Sequence, residues 1–470
     1  MSNGSRSLLE QVARGSNLKR AWELLNKRPG SRGVDEVTIE EFASNLRGNL
    51  RSIEDRLRQH TYRFSAARAV AIPKKSGSGK RPLRIPTVAD RVVQKAILLR
   101  LEKLPKFRKF QENPRSFAYQ RGRSLTDLVT RVKTQMKDHA FVLESDITRF
   151  FDEARQDLLI RDLERLLPDA SITELVRDAL RAEVADRGLL PLDLQRLFPK
   201  PGQGLPQGAA LAPLLSNVYL HPFDRRLTQK KLEHIRYADD FIVFAKTWRQ
   251  AECAFYLCRD VLQELGLSIP GLGDAPKPSR ITPTSGGFDF VGLRFERDRV
   301  MPSAKAIRRL YVRIDKIMDP RSSLTLLERY LECERALVGW RAAYGSVAGV
   351  SQELRAAVNR AADSCYRLLK SKGLARGTYP TRKQRRFLMI APRSPRRKEP
   401  PRAVPTDGTA ARAPLLRKQP TGAARIAPAI PAPAATGRTA CDLVSSAAPG
   451  QMKDTLESNL SSVVGNEGSG

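Results

Sequence analysis

The sequence contains few cysteines and histidines and no long apolar run. Its 470 residues include five cysteines and four histidines, and because the cysteines form no C-x-x-C pair, a zinc module is not expected. No apolar stretch approaches the roughly 18 residues that a membrane span needs. The N-terminal segment MSNGSRSLLEQVARG also lacks an apolar signal core. We therefore expect a cytoplasmic protein without membrane contact.

Aromatic residues are missing from the C-terminal part of the chain. None follows Phe387, and ten of the 43 residues from Ala391 to Pro433 are proline. A segment of this composition cannot bury enough apolar surface to offset the entropy of ordering it. The sequence predicts a basic, Pro/Ala-rich disordered tail over residues 376–470.

Acidic residues are too few to balance the basic ones. The chain has 83 Lys and Arg against 50 Asp and Glu, a formal net charge of +33. The basic residues are spread along the whole chain, so the excess charge is not confined to the tail. Such a balance indicates a polyanionic partner, and nucleic acid is the first candidate.

Before the tail, the apolar pattern alternates between helical and extended segments. Residues 8–60 and 304–373 have helical spacing. HAFVLESDI and IRYADDFIVFAK are rich in β-branched and aromatic residues and are predicted to be strands. A glycine- and proline-bearing segment, PKPGQGLPQGAALAP, precedes a predicted helix. The pattern predicts a mixed α+β fold.

Two adjacent aspartates, Asp239 and Asp240, interrupt the second of these strands. If both lay in the strand, their side chains would point to opposite faces, and two half-buried charges need compensation. A metal ion is the expected partner, with Asp146 at the end of the first strand as a further ligand. Two Mg²⁺ ions held by carboxylates can clamp the oxygens of phosphoryl transfer. Asp152 is better explained as a helix-start carboxylate.

The order of short motifs resembles that of bacterial reverse transcriptases of the group II intron and retron type. The resemblance runs from about Asn17 to about Lys372. The motifs that carry it are, in chain order, NLKRAWELLNKRPGSRGVDEVTIEEF, AIPKKSGSGKRPLRIPTVADRVVQKAI, SFAYQRGRSLTDLV, the segment around Asp146, GLPQGAALAPLLSNVYL, YADD, FDFVGLRF and LVGWRAAYG.

This resemblance implies a right-hand polymerase with fingers, an RRM-like (ferredoxin-like) antiparallel palm sheet and a helical thumb. The implied divisions are an N-terminal helical extension at 1–60, fingers and palm at 61–303, a thumb at 304–375 and the tail. It also implies an RNA-directed DNA polymerase that uses two Mg²⁺ ions, with Mn²⁺ as a substitute. The implied partners are an RNA template, an RNA or DNA primer, deoxynucleotides and a cognate structured RNA.

The resemblance also assigns roles to individual residues. The implied metal ligands are Asp146, Asp239, the supporting Asp240 and the main-chain carbonyl of Ile147. The implied contacts to the incoming nucleotide and nascent base pair are Lys74, Lys75, Arg81, Phe151, Gln207 and Gly208. Phe151 would exclude a 2′-hydroxyl, although a core phenylalanine is the simpler alternative. The three basic residues could equally belong to a solvated face.

Several positions depart from the usual motifs. Ala209 and Ala212 stand where intron enzymes usually have Gly and Ser, and Ala118 and Gln120 where Gly and Arg are frequent. Lys277, a candidate acid for the departing pyrophosphate, is displaced from its usual place before the RI dipeptide. None of these changes removes an expected metal ligand.

Three functions remain open from the sequence. The first is a free-standing reverse transcriptase, working with a dedicated RNA or in antiphage defence. The second is a group II intron maturase, which acts mainly by binding and folding its intron RNA and could do so without Asp239. The third is untemplated or protein-primed nucleotide addition at the same site.

Overall fold

The computed structural model describes residues 7–27, 30–73, 79–167, 169–273, 278–319, 321–345 and 350–371. All of them belong to one compact unit, Met1–Ala391. The segment predicted to be a disordered tail lies outside the described residues.

The N-terminal half contains mostly helices, as its apolar spacing predicts. Its elements are α1 (Leu8–Ala13), α2 (Gly15–Asn26), α3 (Ile39–Ser44), α4 (Leu46–Arg58), β1 (Arg68–Pro73), β2 (Lys80–Ile85), α5 (Val88–Leu101), α6 (Arg108–Gln111), α7 (Leu125–Asp138), β3 (Phe141–Asp146), α8 (Phe150–Glu153), α9 (Gln156–Leu166), α10 (Ala170–Arg181) and α11 (Leu192–Gln195). Local capping defines several of these boundaries: at α7, the Ser124 side chain accepts from the amide of Asp127, whose carboxylate accepts from Ser124 in return.

The C-terminal half holds the remaining strands of the central sheet, a smaller sheet and five long helices, of which the last three lie within residues 304–373. Its elements are α12 (Ala212–Gln229), β4 (Glu233–Tyr237), β5 (Asp240–Ala245), α13 (Trp248–Glu264), β6 (Arg280–Pro283), β7 (Phe288–Phe290), β8 (Leu293–Phe295), β9 (Val300–Pro302), α14 (Ala304–Ile317), α15 (Leu326–Tyr344) and α16 (Val350–Ser371). These helices confirm the predicted helical character of residues 304–373 within the described part.

The central sheet is antiparallel, with the strand order β4–β5–β3–β6. Helices α8 to α12 lie in the chain between β3 and β4, and α13 lies between β5 and β6. Strand β3 therefore lies inside the sheet, paired with β5 and β6, and β4 forms one edge. The connection β4–β5 is a tight hairpin.

The two faces of this sheet contribute to different hydrophobic clusters. Leu143 of β3 and Val243 of β5 belong to a large cluster that includes residues of α1–α5, α9, α10, α12 and α13. Val142 and Ile242, the alternate residues, belong to a second cluster with α7, the β7–β9 sheet and α14–α16. Because successive strand residues point to opposite faces, the sheet is covered on both sides.

The segment IRYADDFIVFAK, which contains Asp239 and Asp240, forms a hairpin, so the prediction of a single strand was wrong. β4 ends at Tyr237 and β5 begins at Asp240, which leaves Ala238 and Asp239 as the connection. Ala238 has φ of 59°, in the left-handed region. The apolar residues on both sides gave the stretch a strand-like composition, and composition does not reveal a two-residue turn that lacks Gly and Asn.

The FDFVGLRF motif forms a hairpin, to which a third strand is added. β7 pairs with β8 and β8 pairs with β9. The β7–β8 turn has positive φ at Val291 and Gly292. A Cβ added to Gly292 would lie 2.7 Å from the Tyr344 hydroxyl of α15, so this glycine permits the close approach of that helix to the hairpin.

Among the described residues, no helix combines the length and apolar character needed to cross a bilayer.

The GLPQG segment packs with its main chain against α8. The Gly204 amide donates to the Ala154 carbonyl at 2.8 Å, and the Leu205 amide donates to the Phe151 carbonyl at 2.9 Å. Gly204 has φ of 77°, and a Cβ there would lie 2.8 Å from the Phe151 carbonyl oxygen. Glycine is therefore required for both its conformation and its size.

We expect Gly204→Ala to lower the free energy of unfolding more than Gly202→Ala. Gly202 has almost the same φ, 76°, but nothing lies within 4 Å of an added Cβ, so left-handed strain of about 1–2 kcal/mol is common to both changes. The contact with α8 should add about 1–3 kcal/mol at Gly204 alone. Denaturant unfolding followed by circular dichroism measures both, and equal losses would show that α8 moves aside freely.

Candidate active site

Strand pairing brings the expected metal ligands together. β3 and β5 are antiparallel and Asp146 is directly opposite Asp240, so both side chains leave the same face of the sheet. The Ile147 amide donates to the Asp239 carbonyl at 3.0 Å, which joins the end of β3 to the hairpin turn. All three aspartates are partly exposed, whereas Ile147 is buried. The structure thus assembles residues from two distant motifs at one edge of the sheet.

The donor set suits a metal that is shared with a substrate. Within the described part of the chain, no group of three or more His, Cys, Asp and Glu side chains could hold a metal ion without other ligands. Mg²⁺ in phosphoryl-transfer sites is usually held by one or two carboxylates, with substrate phosphates and waters as its other ligands. The partly exposed carboxylates of Asp146 and Asp239 offer the oxygen donors that this mode requires.

The two adjacent phenylalanines after Asp146 have different environments. Phe150 is fully buried and packs edge-on against Tyr219, with ring centroids 5.9 Å apart. Phe151 is only partly buried and contacts Phe150 edge-on at 5.1 Å. Phe150 therefore belongs to the core, whereas Phe151 packs against that core and stays partly exposed.

Gln207 and Gly208 lie between the β2 strand and α8. The Gln207 carbonyl accepts from the Arg84 amide at 3.1 Å, and its side chain donates to Asp152 at 3.4 Å. Gly208 has φ of 106°, and a Cβ there would lie 3.1 Å from the Arg84 carbonyl oxygen. Asp152 does lie in the first turn of a helix, as expected, but it also orients Gln207, a role that the sequence did not indicate.

Arg81 is an exposed residue of β2. Its charge and that of Asp239 both act on the hydroxyl of Tyr119, so the three residues lie near one another. Burial raises the pKa of Tyr119 and the negative charge of Asp239 raises it further, while Arg81 opposes the shift. Lys74 and Lys75, the other expected phosphate contacts, lie outside the described residues.

Tyr119 is a site residue that sequence reasoning missed. It is half-exposed and has φ of 59°, an uncommon conformation for an aromatic residue. Such strain persists only where the surrounding structure imposes it, and it is frequent at functional sites. Its position in the quoted motif SFAYQRGRS was the available signal.

Glu144 lies two residues before Asp146 and therefore on the same face of β3. Burial raises its pKa to about 7, although the Thr282 hydroxyl, which donates to it at 3.3 Å, opposes the shift. A bound cation would change this balance, because a nearby positive charge favours the ionised carboxylate.

The segment that departs from the usual motif around Lys277 is tied to the sheet by Ser279. This serine is buried; its hydroxyl donates to the Pro270 carbonyl at 2.6 Å and lies 2.8 Å from the Ser145 hydroxyl. Lys277 itself lies outside the described residues.

The central part of the chain matches a family model. Residues 72–271 match the model described as "Reverse transcriptase (RNA-dependent DNA polymerase)". The matched range contains β2 to β5 and α13, and it includes the three aspartates and the expected nucleotide contacts.

Curated relatives agree with this match. Protein YkfC of Escherichia coli K12 is 29% identical over 59% of this chain and 78% of its own length. The group II intron-encoded protein LtrA of Lactococcus lactis subsp. cremoris is 27% identical over 45% of this chain and 33% of its own length. This chain thus spans most of the first relative and a third of the second.

A solved structure, a partial Cas6-RT-Cas1–Cas2 complex, is 25% identical over 55% of this chain and 42% of that chain, with a TM-score of 0.35. Residues 72–271 therefore form a reverse transcriptase domain, and the chain is similar to group II intron-encoded proteins.

Proposed function

We propose that this protein extends a primer 3′ end by copying an RNA template into DNA at the aspartate cluster. The observation that carries the proposal is the pairing of Asp146 with Asp240, together with the Ile147–Asp239 hydrogen bond, inside a reverse transcriptase domain. Asp146, Asp239, the supporting Asp240 and the Ile147 carbonyl would hold two Mg²⁺ ions, for which Mn²⁺ could substitute. The bound ions would stabilise the charge that develops on the attacking and leaving oxygens.

Asp239→Ala and Asp146→Ala should each abolish primer extension while the fold remains intact. Loss of a group that stabilises transition-state charge lowers the rate by at least about 100-fold. Asp260→Asn is the matched control, because Asp260 is exposed on α13 and pairs only with its neighbour Arg259 among the recorded ion pairs. Primer extension on RNA with purified protein measures the effect. Wild-type rates for Asp239→Ala would refute the assignment.

The central sheet supports the right-hand architecture. Its strands and helices follow the order β-α-β-β-α-β that is typical of ferredoxin-like domains. We interpret this sheet as an RRM-like palm, β1 and β2 as part of the fingers and α14–α16 as the thumb. The divisions are those expected from the sequence: 1–60 for the N-terminal extension, 61–303 for fingers and palm, 304–375 for the thumb and 376–470 for the tail.

Basic residues of the fingers are the proposed ligands of the nucleotide triphosphate. The charges of Arg81 and Asp239 both act on Tyr119, and arginine suits bidentate phosphate contacts while lysine supplies a point charge. Lys74 and Lys75, which precede β2 in the sequence, would complete this contact. Gln207 and Gly208 would face the nascent base pair, with Gln207 held by Asp152.

Phe151 is proposed to exclude ribonucleotides by occupying the space of a 2′-hydroxyl. Its partial exposure beside the buried Phe150 supports this role. Phe151→Val should therefore raise ribonucleotide incorporation relative to deoxynucleotide incorporation, measured in single-nucleotide extension assays. Phe150→Leu is the control: it should lower stability without changing the ratio. If Phe151→Val left the ratio of ribonucleotide to deoxynucleotide incorporation unchanged, Phe151 would have only a packing role.

A structured RNA is the proposed partner. The chain has a net charge of +33, and its basic residues also lie throughout the part that precedes the tail. Helix α14 exposes Arg308, Arg309 and Arg313. Duplex RNA is recognised mainly through its shape and backbone, so a basic helix can bind it without base-specific contacts. Each phosphate contact should add to the salt dependence of binding.

We expect the purified protein to carry one enriched RNA rather than a random mixture. Sequencing of co-purified nucleic acid measures this, with the Asp239→Ala protein as the control that retains RNA but makes no product. One transcript encoded near the gene would support a cognate RNA and is compatible with a role in antiphage defence. An even spread of cellular RNA would contradict a dedicated partner.

The alternative function is that of a group II intron maturase, which the intron-encoded relative favours. A maturase would bind intron RNA and promote its splicing as its main activity. In that case, Asp239→Ala should retain splicing activity on an intron that flanks the gene while losing primer extension.

A further inference from the structure

A buried group of polar side chains lies beneath the catalytic turn. Asn217 and Asp224 of α12 and Arg236 of β4 are each at most 2% exposed, and we call them the polar hub. Arg236 donates to both Asp224 oxygens, from Nε at 2.9 Å and from Nη2 at 2.6 Å. Its Nη1 donates to the Asn217 Oδ1 at 3.2 Å. The guanidinium is thus held rigidly from below the sheet.

The same guanidinium also holds the turn that contains Asp239. Arg236 Nη1 donates to the Ala238 carbonyl at 3.0 Å. Ala238 has φ of 59°, a left-handed conformation that costs an L-residue about 1–2 kcal/mol. A strained residue keeps its conformation only where its surroundings impose it, and this hydrogen bond is such a constraint. The peptide that it holds leads directly into Asp239.

A second arm of the hub holds the loop before Tyr119. Asn217 Nδ2 donates to the Ala118 carbonyl at 3.2 Å, and Asn113 Nδ2 donates to Asp224 at 2.7 Å. The main chain adds two hydrogen bonds, from the Phe117 amide to the Arg236 carbonyl at 2.9 Å and from the Arg236 amide to the Arg115 carbonyl at 2.8 Å. Tyr119 follows this loop and lies close enough to Asp239 for the charge of that carboxylate to raise its pKa.

Stability alone does not explain these groups. Burial would raise the pKa of Asp224, but the charge and hydrogen bonds of Arg236 outweigh it and hold that pKa well below the ordinary value. Even so, a buried ion pair contributes little net stability, because desolvation offsets most of the attraction. A geometric role fits better, since the fork of an arginine can bind several acceptors in fixed directions.

We propose that Arg236, Asp224 and Asn217 are positioning residues, which set the catalytic turn through Ala238 and the loop of Tyr119 through Ala118. The hub therefore keeps Asp239 and Tyr119 in a fixed relation to each other and to α12, the helix that follows GLPQG. The expected loss of activity on mutation rests on the proposed polymerase function, whereas the expected loss of local order rests on geometry alone.

The test is Arg236→Lys in the full-length protein. Lysine keeps the charge that Asp224 requires but cannot also reach Ala238 and Asn217. We expect kcat for primer extension to fall about 100-fold, the loss typical of a small displacement of reacting groups, while KM for deoxynucleotides and primer–template affinity stay unchanged. Hydrogen–deuterium exchange should become faster in residues 235–240 and 113–119, with the rest of the sheet still protected.

Asn217→Ala tests the second arm separately. It leaves the Arg236–Asp224 pair intact, so faster exchange should be confined mainly to residues 113–119. Tyr62→Phe is the matched control: Tyr62 is buried and donates to the buried Asp90 at 2.8 Å, so its loss removes a buried hydrogen bond elsewhere. The control should lower the melting temperature without changing kcat or exchange in either segment.

Wild-type kcat in Arg236→Lys, or uniformly faster exchange across the sheet, would overturn the positioning role. An inactive wild-type protein would contradict the proposed polymerase function instead. The exchange pattern would then decide the role of the hub by itself, because it needs neither primer nor nucleotide.

Discussion

The antiparallel pairing of β3 with β5 is the constraint on which the site depends. It sets Asp146 opposite Asp240 and brings the Ile147 amide to the Asp239 carbonyl. A shift of one residue in this register would move each apolar residue of β5 out of the cluster in which it packs and into the opposite one. Since both faces of the sheet are buried in hydrophobic clusters, packing fixes the register, and the register in turn positions the carboxylates.

Backbone hydrogen bonds attach the other motifs of the site to the elements around strands β3 and β5. GLPQG packs on α8 with Gly204 at a position where a Cβ would lie 2.8 Å from the Phe151 carbonyl oxygen. Gln207 pairs through its carbonyl with Arg84 of β2, and the loop before Tyr119 pairs with Arg236 of β4. Main-chain contacts of this kind do not depend on side-chain identity, so departures such as Ala118 can be accommodated without loss of the arrangement.

In the polar hub, buried polar side chains hold main-chain carbonyls in place. Hydrophobic residues could fill the same space at no loss of stability, but they could not hold the Ala238 carbonyl or the Ala118 carbonyl. In the proposed mechanism, the buried guanidinium of Arg236 holds the strained conformation of Ala238, and with it the turn, through a hydrogen bond to the Ala238 carbonyl.

Many features of this protein could be predicted from its sequence, because the spacing of apolar and charged residues indicates secondary structure and charge directly. The helices, the strand that ends in Asp146, the basic character and the polymerase motifs all follow from residue types at short spacing. The hairpin at Ala238, the different burial of Phe150 and Phe151, and the roles of Tyr119, Asp152 and Arg236 could not be predicted in this way. Each depends on contacts between residues far apart in the chain, such as Asn113 with Asp224, and only tertiary packing decides which distant residues meet.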